Sequence, residues 1–168
     1  MSGHSVIVTT ILSMFAAGTS VALAADFTKN DHGITTEADG KKISLQFYTP
    51  STVRVVKNPT DISPSKESLS VVSVPQNVKF NARQSGKYIT LSSDSLSVTL
   101  DTASGKLSFL TPKGKKLLSE GDNVSFTPVD DAGTPSFRVR QDFTLDADEP
   151  IYGFGNLENG QLSQRGLH

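Results

Sequence analysis

Cysteine and tryptophan are both absent from this 168-residue chain. Without cysteine there is no disulfide, no thiolate nucleophile, no sulfur-ligated metal and no acylated lipoprotein anchor. Histidine is scarce: His4 lies in an apolar leader, and His32 and His168 stand at opposite ends of the rest. No H-x-H or H-E-x-x-H spacing occurs, so no metal site is expected. A serine–histidine triad would have to use one of two histidines that read as surface residues, and there is no G-x-S-x-G elbow. No sign of charge dominates, with 16 Lys+Arg against 17 Asp+Glu and a net charge of −1. That balance excludes binding to nucleic acid driven by phosphate neutralisation. Beyond the leader there is no helical stripe of useful length and no repeat of fixed period, which excludes propellers and solenoids.

The leader itself is informative. Residues 6–17 are apolar and uncharged, Ala22-Leu23-Ala24 is a small-x-small cleavage pattern, and the first charge is Asp26. This pattern predicts a secretory signal peptide over 1–24, cut between Ala24 and Ala25. Its amino-terminal region carries His4 and the free amine but no Lys or Arg. The apolar run is short for a bilayer span and is broken by Gly18-Thr19-Ser20. A periplasmic or secreted product is expected, with no stable membrane insertion after cleavage. Residues 25–168 are then enough for one ordinary domain, burying roughly two thirds of its unfolded surface.

What fills that domain is alternation. Residues 25–40 are polar and turn-rich, either a loose start or a short lead strand. From 41 the period is two: Ile43, Leu45 and Phe47 alternate with Ser44, Gln46 and Tyr48. Val53 and Val55 continue it after Pro50. Asn58-Pro59 and Ser63-Pro64 mark 57–68 as a surface loop. Short strands follow at Leu69–Val74, at Val78, Phe80 and Ala82, at Tyr88–Ser92, and at Leu96, Val98 and Leu100. The stretch 101–105 is a hairpin loop with Gly105 at a position of positive φ. Leu107 and Phe109, Leu117-Leu118, Val124 and Phe126, and then Phe137 through Leu145 complete the series, with turns at 112–114 and 130–133. Nine or ten strands with wet alternate faces predict an all-β fold, a two-sheet antiparallel β-sandwich. The phenylalanines at inward positions are expected in its core.

Candidate chemistry is thin. Glu149 and Glu158 are the one carboxylate pair worth weighing for glycoside cleavage, which sets two carboxylates across the sugar bond. Both sit among polar and turn residues, with no apolar pocket to raise a pKa. Tyr48, Tyr88 and Tyr152 are the aromatics free to stack on a sugar. Lys113, Lys115 and Lys116 read as a solvated hairpin tip. Gly153-Phe154-Gly155 has no phosphate loop or helix after it and is no dinucleotide fingerprint.

The end of the chain carries a resemblance. Glu149-Pro150-Ile151-Tyr152-Gly153-Phe154-Gly155-Asn156, followed by Asn159-Gly160-Gln161-Leu162-Ser163-Gln164-Arg165-Gly166, resembles the "E-x-x-Y-G-L/F-G-E/Q … R-G" stretch of family 31 glycoside hydrolases. Ser95–Leu100, Gly105–Phe109, Gly114–Leu118 and Phe137–Leu145 also look like that family's amino-terminal domain. Asn156 departs from the usual Glu or Gln. The spacing to Gln164-Arg165-Gly166 is more similar to bacterial α-xylosidases and α-glucosidases than to eukaryotic maltases.

The resemblance implies a galactose-mutarotase-like sandwich over 41–168, preceded by the lead segment 25–40, with 151–168 a terminal loop directed towards a catalytic (β/α)8 barrel in cis. It implies a retaining α-glycosidase whose two aspartates lie on that barrel. No catalytic residue, cofactor or metal is therefore assigned to this chain. Asn159, Gln161, Gln164 and Arg165 are the residues the resemblance would place against an α-linked oligosaccharide, with Arg165 equally suited to bracing a domain interface through a carboxylate. Two other readings fit the same residues: a secreted carbohydrate-binding module, and a structural or adhesion sandwich.

Overall fold

The computed structural model describes residues 26–62, 70–153, 160 and 162–166. Its secondary structure there is entirely strand, turn and coil. Ten strands form two antiparallel sheets: β1 (Phe27–Lys29), β2 (Gly33–Ala38), β3 (Lys41–Thr49) and β4 (Thr52–Pro59) in one, and β5 (Asn81–Ser85), β6 (Tyr88–Ser92), β7 (Ser97–Asp101), β8 (Lys106–Leu110), β9 (Lys116–Asp131) and β10 (Thr134–Thr144) in the other. Both sheets are simple meanders, with spatial order β1-β2-β3-β4 and β10-β9-β8-β7-β6-β5.

The alternation read from the sequence becomes the interior. Ile34 on β2 and Ile43, Leu45 and Phe47 on β3 meet Ile89, Leu91, Val98, Leu100 and Leu107 of the second sheet in one cluster. Along β3, β6 and β7 the residues between them are more exposed, as a period of two requires. Fully burying one such side chain contributes about 1.5–3 kcal/mol.

Residues 27–38, left open by the sequence, are two strands. Thr36 Oγ1 donates to the Asp26 carbonyl at 2.5 Å, and Ile34 is fully buried. Asp39-Gly40 makes the β2–β3 hairpin, with both residues at positive φ (51° and 67°), as a two-residue type I′ turn requires. That Asp-Gly pair is the signal that marks this hairpin in the sequence.

Four expectations change. The loop placed over 57–68 begins later, because β4 runs to Pro59; residues 63–69 lie outside the described ones. The strand expected over 69–74 does not form where it is described, and Val72 and Val74 are exposed. A short apolar run is a strand only if an edge accepts it, and Pro75 removes one ladder donor. The two strands expected around 117 and 124 are one, β9, 16 residues long. The loop at 130–133 shrinks to the turn Ala132-Gly133, again with both residues at positive φ.

Candidate functional site

The two sheets do not match in width. Asp26, just before β1, exchanges two hydrogen bonds of 2.7 Å with the Gln84 amide on β5. At the other side, Lys57 of β4 reaches Gly105, beside β8, and Glu120 on β9. The four-stranded sheet is thus tied to β5 at one side and to β8 and β9 at the other, its Asp39–Lys41 and Pro59–Asp61 ends facing Val124, Phe126 and Phe137, and the rest of the inward face of β9 and β10 continues past it. The uncovered region is a cleft of about 770 Å³ between β4 and β8–β10.

Its floor is apolar. Val53 and Val55 on β4 face Phe109, Val124, Phe126, Val139 and Phe143 across it. Phe126 and Phe137 meet edge to face with centroids 6.5 Å apart. Val139 is 60% exposed and Phe143 50%, so Phe143, an inward phenylalanine expected in the core, borders the cleft instead, beside Val139. Period-two patterning identifies an inward face; it does not reveal whether a second layer covers it.

One ion pair closes the inner wall. Lys57 Nζ lies 2.5 Å from Glu120 Oε2, with the two side chains 6% and 4% exposed. Glu120 Oε2 also accepts the Leu107 amide at 2.8 Å, and Lys57 donates to the Gly105 carbonyl at 2.9 Å. Among the described residues that line the cleft, Glu120 is the one carboxylate. Glycoside cleavage with two side-chain carboxylates needs a second one about 5–9.5 Å away, and the described lining does not supply it. Sequence reasoning passed over both Lys57 and Glu120; their sign is a charged residue at an inward position of an alternating strand.

A bulge in β9 shapes the cleft's outer wall. The β9–β10 register shifts between Gln141, opposite Val124, and Phe143, opposite Glu120. Gly121 sits in the extra loop, where an added Cβ would lie 2.9 Å from Asp142 Cβ. Asp142 fastens it, accepting from Asn123 at 2.6 Å and from Arg140 at 3.0 and 3.1 Å. These bonds, from Arg140 first and then Asn123, hold the Asp142 carboxyl below the usual range.

The terminal segment is the second candidate. Gln164 N donates to the Ile151 carbonyl at 2.7 Å, and Ile151 N to Ser163 Oγ at 3.2 Å. Arg165 Nη1 donates to the carbonyls of Asp146 and Glu149 at 2.8 and 2.7 Å. The structure thus brings Gln164 and Arg165 together against 146–151. Asn159 and Gln161 lie outside the described residues. So does Glu158, while Glu149 Oε2 accepts the Asp146 amide at 3.1 Å. Tyr152 is exposed. Tyr88 is half exposed beneath the Lys87 ammonium, and Tyr48 OH accepts from Arg54. The three tyrosines stand on different elements and build no stacking platform together. Lys113 and Lys115 are exposed, and Lys116 lies 3.4 Å from Asp146. His32 Nδ1 is 3.3 Å from the Gln76 carbonyl, and His168 lies outside the described residues.

Residues 42–168 match the model of the glycosyl hydrolase 31 N-terminal galactose mutarotase-like domain. The chain belongs to that family. The family 31 domain is also similar to three solved proteins. An α-xylosidase of Xanthomonas citri superposes with a TM-score of 0.73 at 28% identity, over 81% of this chain and 15% of that one. A soil-metagenome α-xylosidase, solved with xylose, gives 0.65 at 18% identity over 83% of this chain and 23% of its own. An uncharacterised Listeria monocytogenes protein, solved with glucose, magnesium and calcium, gives 0.65 at 20% over 83% and 13%. The last two speak for the fold alone. The chain therefore spans less than a quarter of the length of these relatives.

Proposed function

We propose that this chain is the non-catalytic amino-terminal domain of an exported, retaining α-glycoside hydrolase acting on α-glucosides or α-xylosides. In that protein a (β/α)8 barrel in cis carries the nucleophile and the acid/base. The sandwich supports it, and the segment holding Asn159, Gln161, Gln164 and Arg165 borders the sugar pocket. The observation that carries this reading is the family match over 42–168. The described lining of the cleft agrees, since Glu120, its one carboxylate, is already engaged by Lys57 and the Leu107 amide. The fastening of 146–151 by Arg165 and Gln164 also supports it, because a loop held in shape presents its polar side chains at low entropic cost. The apolar leader ending in Ala22-Leu23-Ala24 supports export to the periplasm or medium.

The test is calorimetric titration of the chain, recovered from cells that express it with its leader, against malto- and xylo-configured α-linked oligosaccharides. No saturable heat is expected, and amino-terminal sequencing should find Ala25 first. A saturable isotherm would replace this reading with a freestanding carbohydrate-binding module. A product retaining Met1 in the cytoplasm would remove export from it.

A further inference from the structure

The Lys57–Glu120 pair stands where the second sheet divides. We infer that it is an alignment pin. The Glu120 carboxylate ends the β8–β9 ladder, and Lys57 ties that end to the first sheet. Together they set where the β9–β10 hairpin leaves β8 and how it stands against the first sheet. The inference concerns the packing of the two sheets and is independent of the glycosidase reading.

Three observations carry it. The first is the ladder. β8 and β9 pair from Leu110, opposite Lys116, to Ser108, opposite Ser119. The same register would next set Leu107 opposite Glu120. There the Leu107 amide donates to the Glu120 carboxylate, a side chain, at 2.8 Å. A buried amide needs one acceptor, and this one has it without a further strand pair. Beyond that point Gly121, Asp122 and Asn123 bulge opposite Asp142, and from Val124 onwards β9 pairs with β10 alone among the described residues. Residues 124–141 are thus a two-stranded ribbon rooted beside Glu120.

The second observation is that little else fixes this register. Strand register is ordinarily specified by the apolar residues a strand buries. Glu120 is the one buried residue on β9, and β10 has none. A second path also lies close by, since the Lys106 ammonium is already paired with Asp122 across the gap. Without the pin the ladder can run on through Leu107 and Lys106, which draws the root of the ribbon towards β8. The third observation is the partner. Lys57 brings its ammonium from β4 to both the Glu120 carboxylate and the Gly105 carbonyl. One point therefore joins β4, the start of β8 and β9, and no buried side-chain nitrogen or oxygen among the described residues lacks a partner. An apolar pair can match such an ion pair in stability; what the charges add is one permitted arrangement, because any other leaves a charge buried and unpaired.

The test uses the absence of cysteine. Cysteines introduced at exposed Glu37 on β2 and exposed Arg138 on β10 carry spin labels, and pulsed electron paramagnetic resonance reads the distance from the first sheet to the ribbon. Hydrogen exchange reads the Leu107 amide. Two replacements of the pair are compared with the parent. Lys57→Met with Glu120→Gln keeps the hydrogen bonds, because a carboxamide accepts from Leu107 and donates to the Gly105 carbonyl. Lys57→Met with Glu120→Leu removes the acceptor. The glutamine form should match the parent, with one narrow distance and a slowly exchanging Leu107 amide. The leucine form should unfold close to the parent in urea, yet show a broadened or second distance, with Leu107 exchanging on the order of 100-fold faster. A folded leucine form with the parent's single distance would overturn the inference, whatever Leu107 does. A broadened distance in the glutamine form would also overturn it, since the bond to Leu107 would then not be what ends the ladder. Should the leucine form fail to fold, the glutamine form decides alone: the parent's distance and Leu107 protection uphold the inference, and loss of either overturns it.

Discussion

Glu120 and Lys57 set the energetics of the cleft wall. Each is buried, and each is held by the other and by a backbone group, the Leu107 amide or the Gly105 carbonyl. Removing one partner of such a pair leaves an uncompensated buried charge, at a cost of about 3–5 kcal/mol. Glu120→Leu is therefore expected to destabilise by that amount, read from urea unfolding. Lys57→Met combined with Glu120→Leu should recover most of the loss, since an apolar pair of similar volume replaces both charges. At the surface the ion pairs act through pH. The hydrogen bond from Lys87 lowers the Asp101 pKa, and Arg140 with Asn123 lowers that of Asp142. A depressed carboxyl contributes stability that is present above its unfolded value near 4 and is lost as pH falls through the folded value. Asp101→Asn and Asp142→Asn should accordingly lower the urea midpoint at pH 7, and each difference from the parent should shrink as the pH is taken down to well below the unfolded carboxyl value. A difference that persisted undiminished at that pH would contradict the role given to these pairs. Neither inward charged residue was recognisable by residue type, because Lys and Glu on a strand ordinarily mark the wet face.

Strands and turns were the most legible part of the sequence, and their failures have physical causes. The β3, β6, β7 and β8 alternations survive intact because both neighbours and the opposite sheet reward the same register. The run at 70–74 has the composition of a strand but stays coil, with Pro75 at its end unable to donate to a ladder. The β9 strand was split because its bulge at Gly121–Asn123 interrupts the period of two. At Ala132 the fold overrides local preference: an alanine occupies φ 51° so that the β9–β10 hairpin can turn in two residues. A non-glycine residue pays about 1 kcal/mol there. Ala132→Asn should raise stability by about that amount, since Asn-Gly is the favoured type I′ pair. An unchanged or lower melting temperature would show that the hairpin tip is not strained as described.

At the scale of the whole molecule, the all-β class, the antiparallel sandwich and the family could be read from the sequence, the last through the ordered tyrosine, glycines and Arg-Gly between 149 and 166. The open cleft could not, because patterning reports which face of a strand turns inward and not how wide the facing sheet is. The two features together fit the supporting role proposed above, with one apolar face left uncovered by the described residues and a braced segment at the carboxy-terminal side. The central claim is that this domain supports glycoside cleavage without performing it. The most direct measurement is incubation of the purified chain with 4-nitrophenyl α-glucoside and α-xyloside. Release of nitrophenol should not exceed that of an enzyme-free control, and sustained turnover above that control, abolished by Glu120→Gln or Glu149→Gln, would contradict the account.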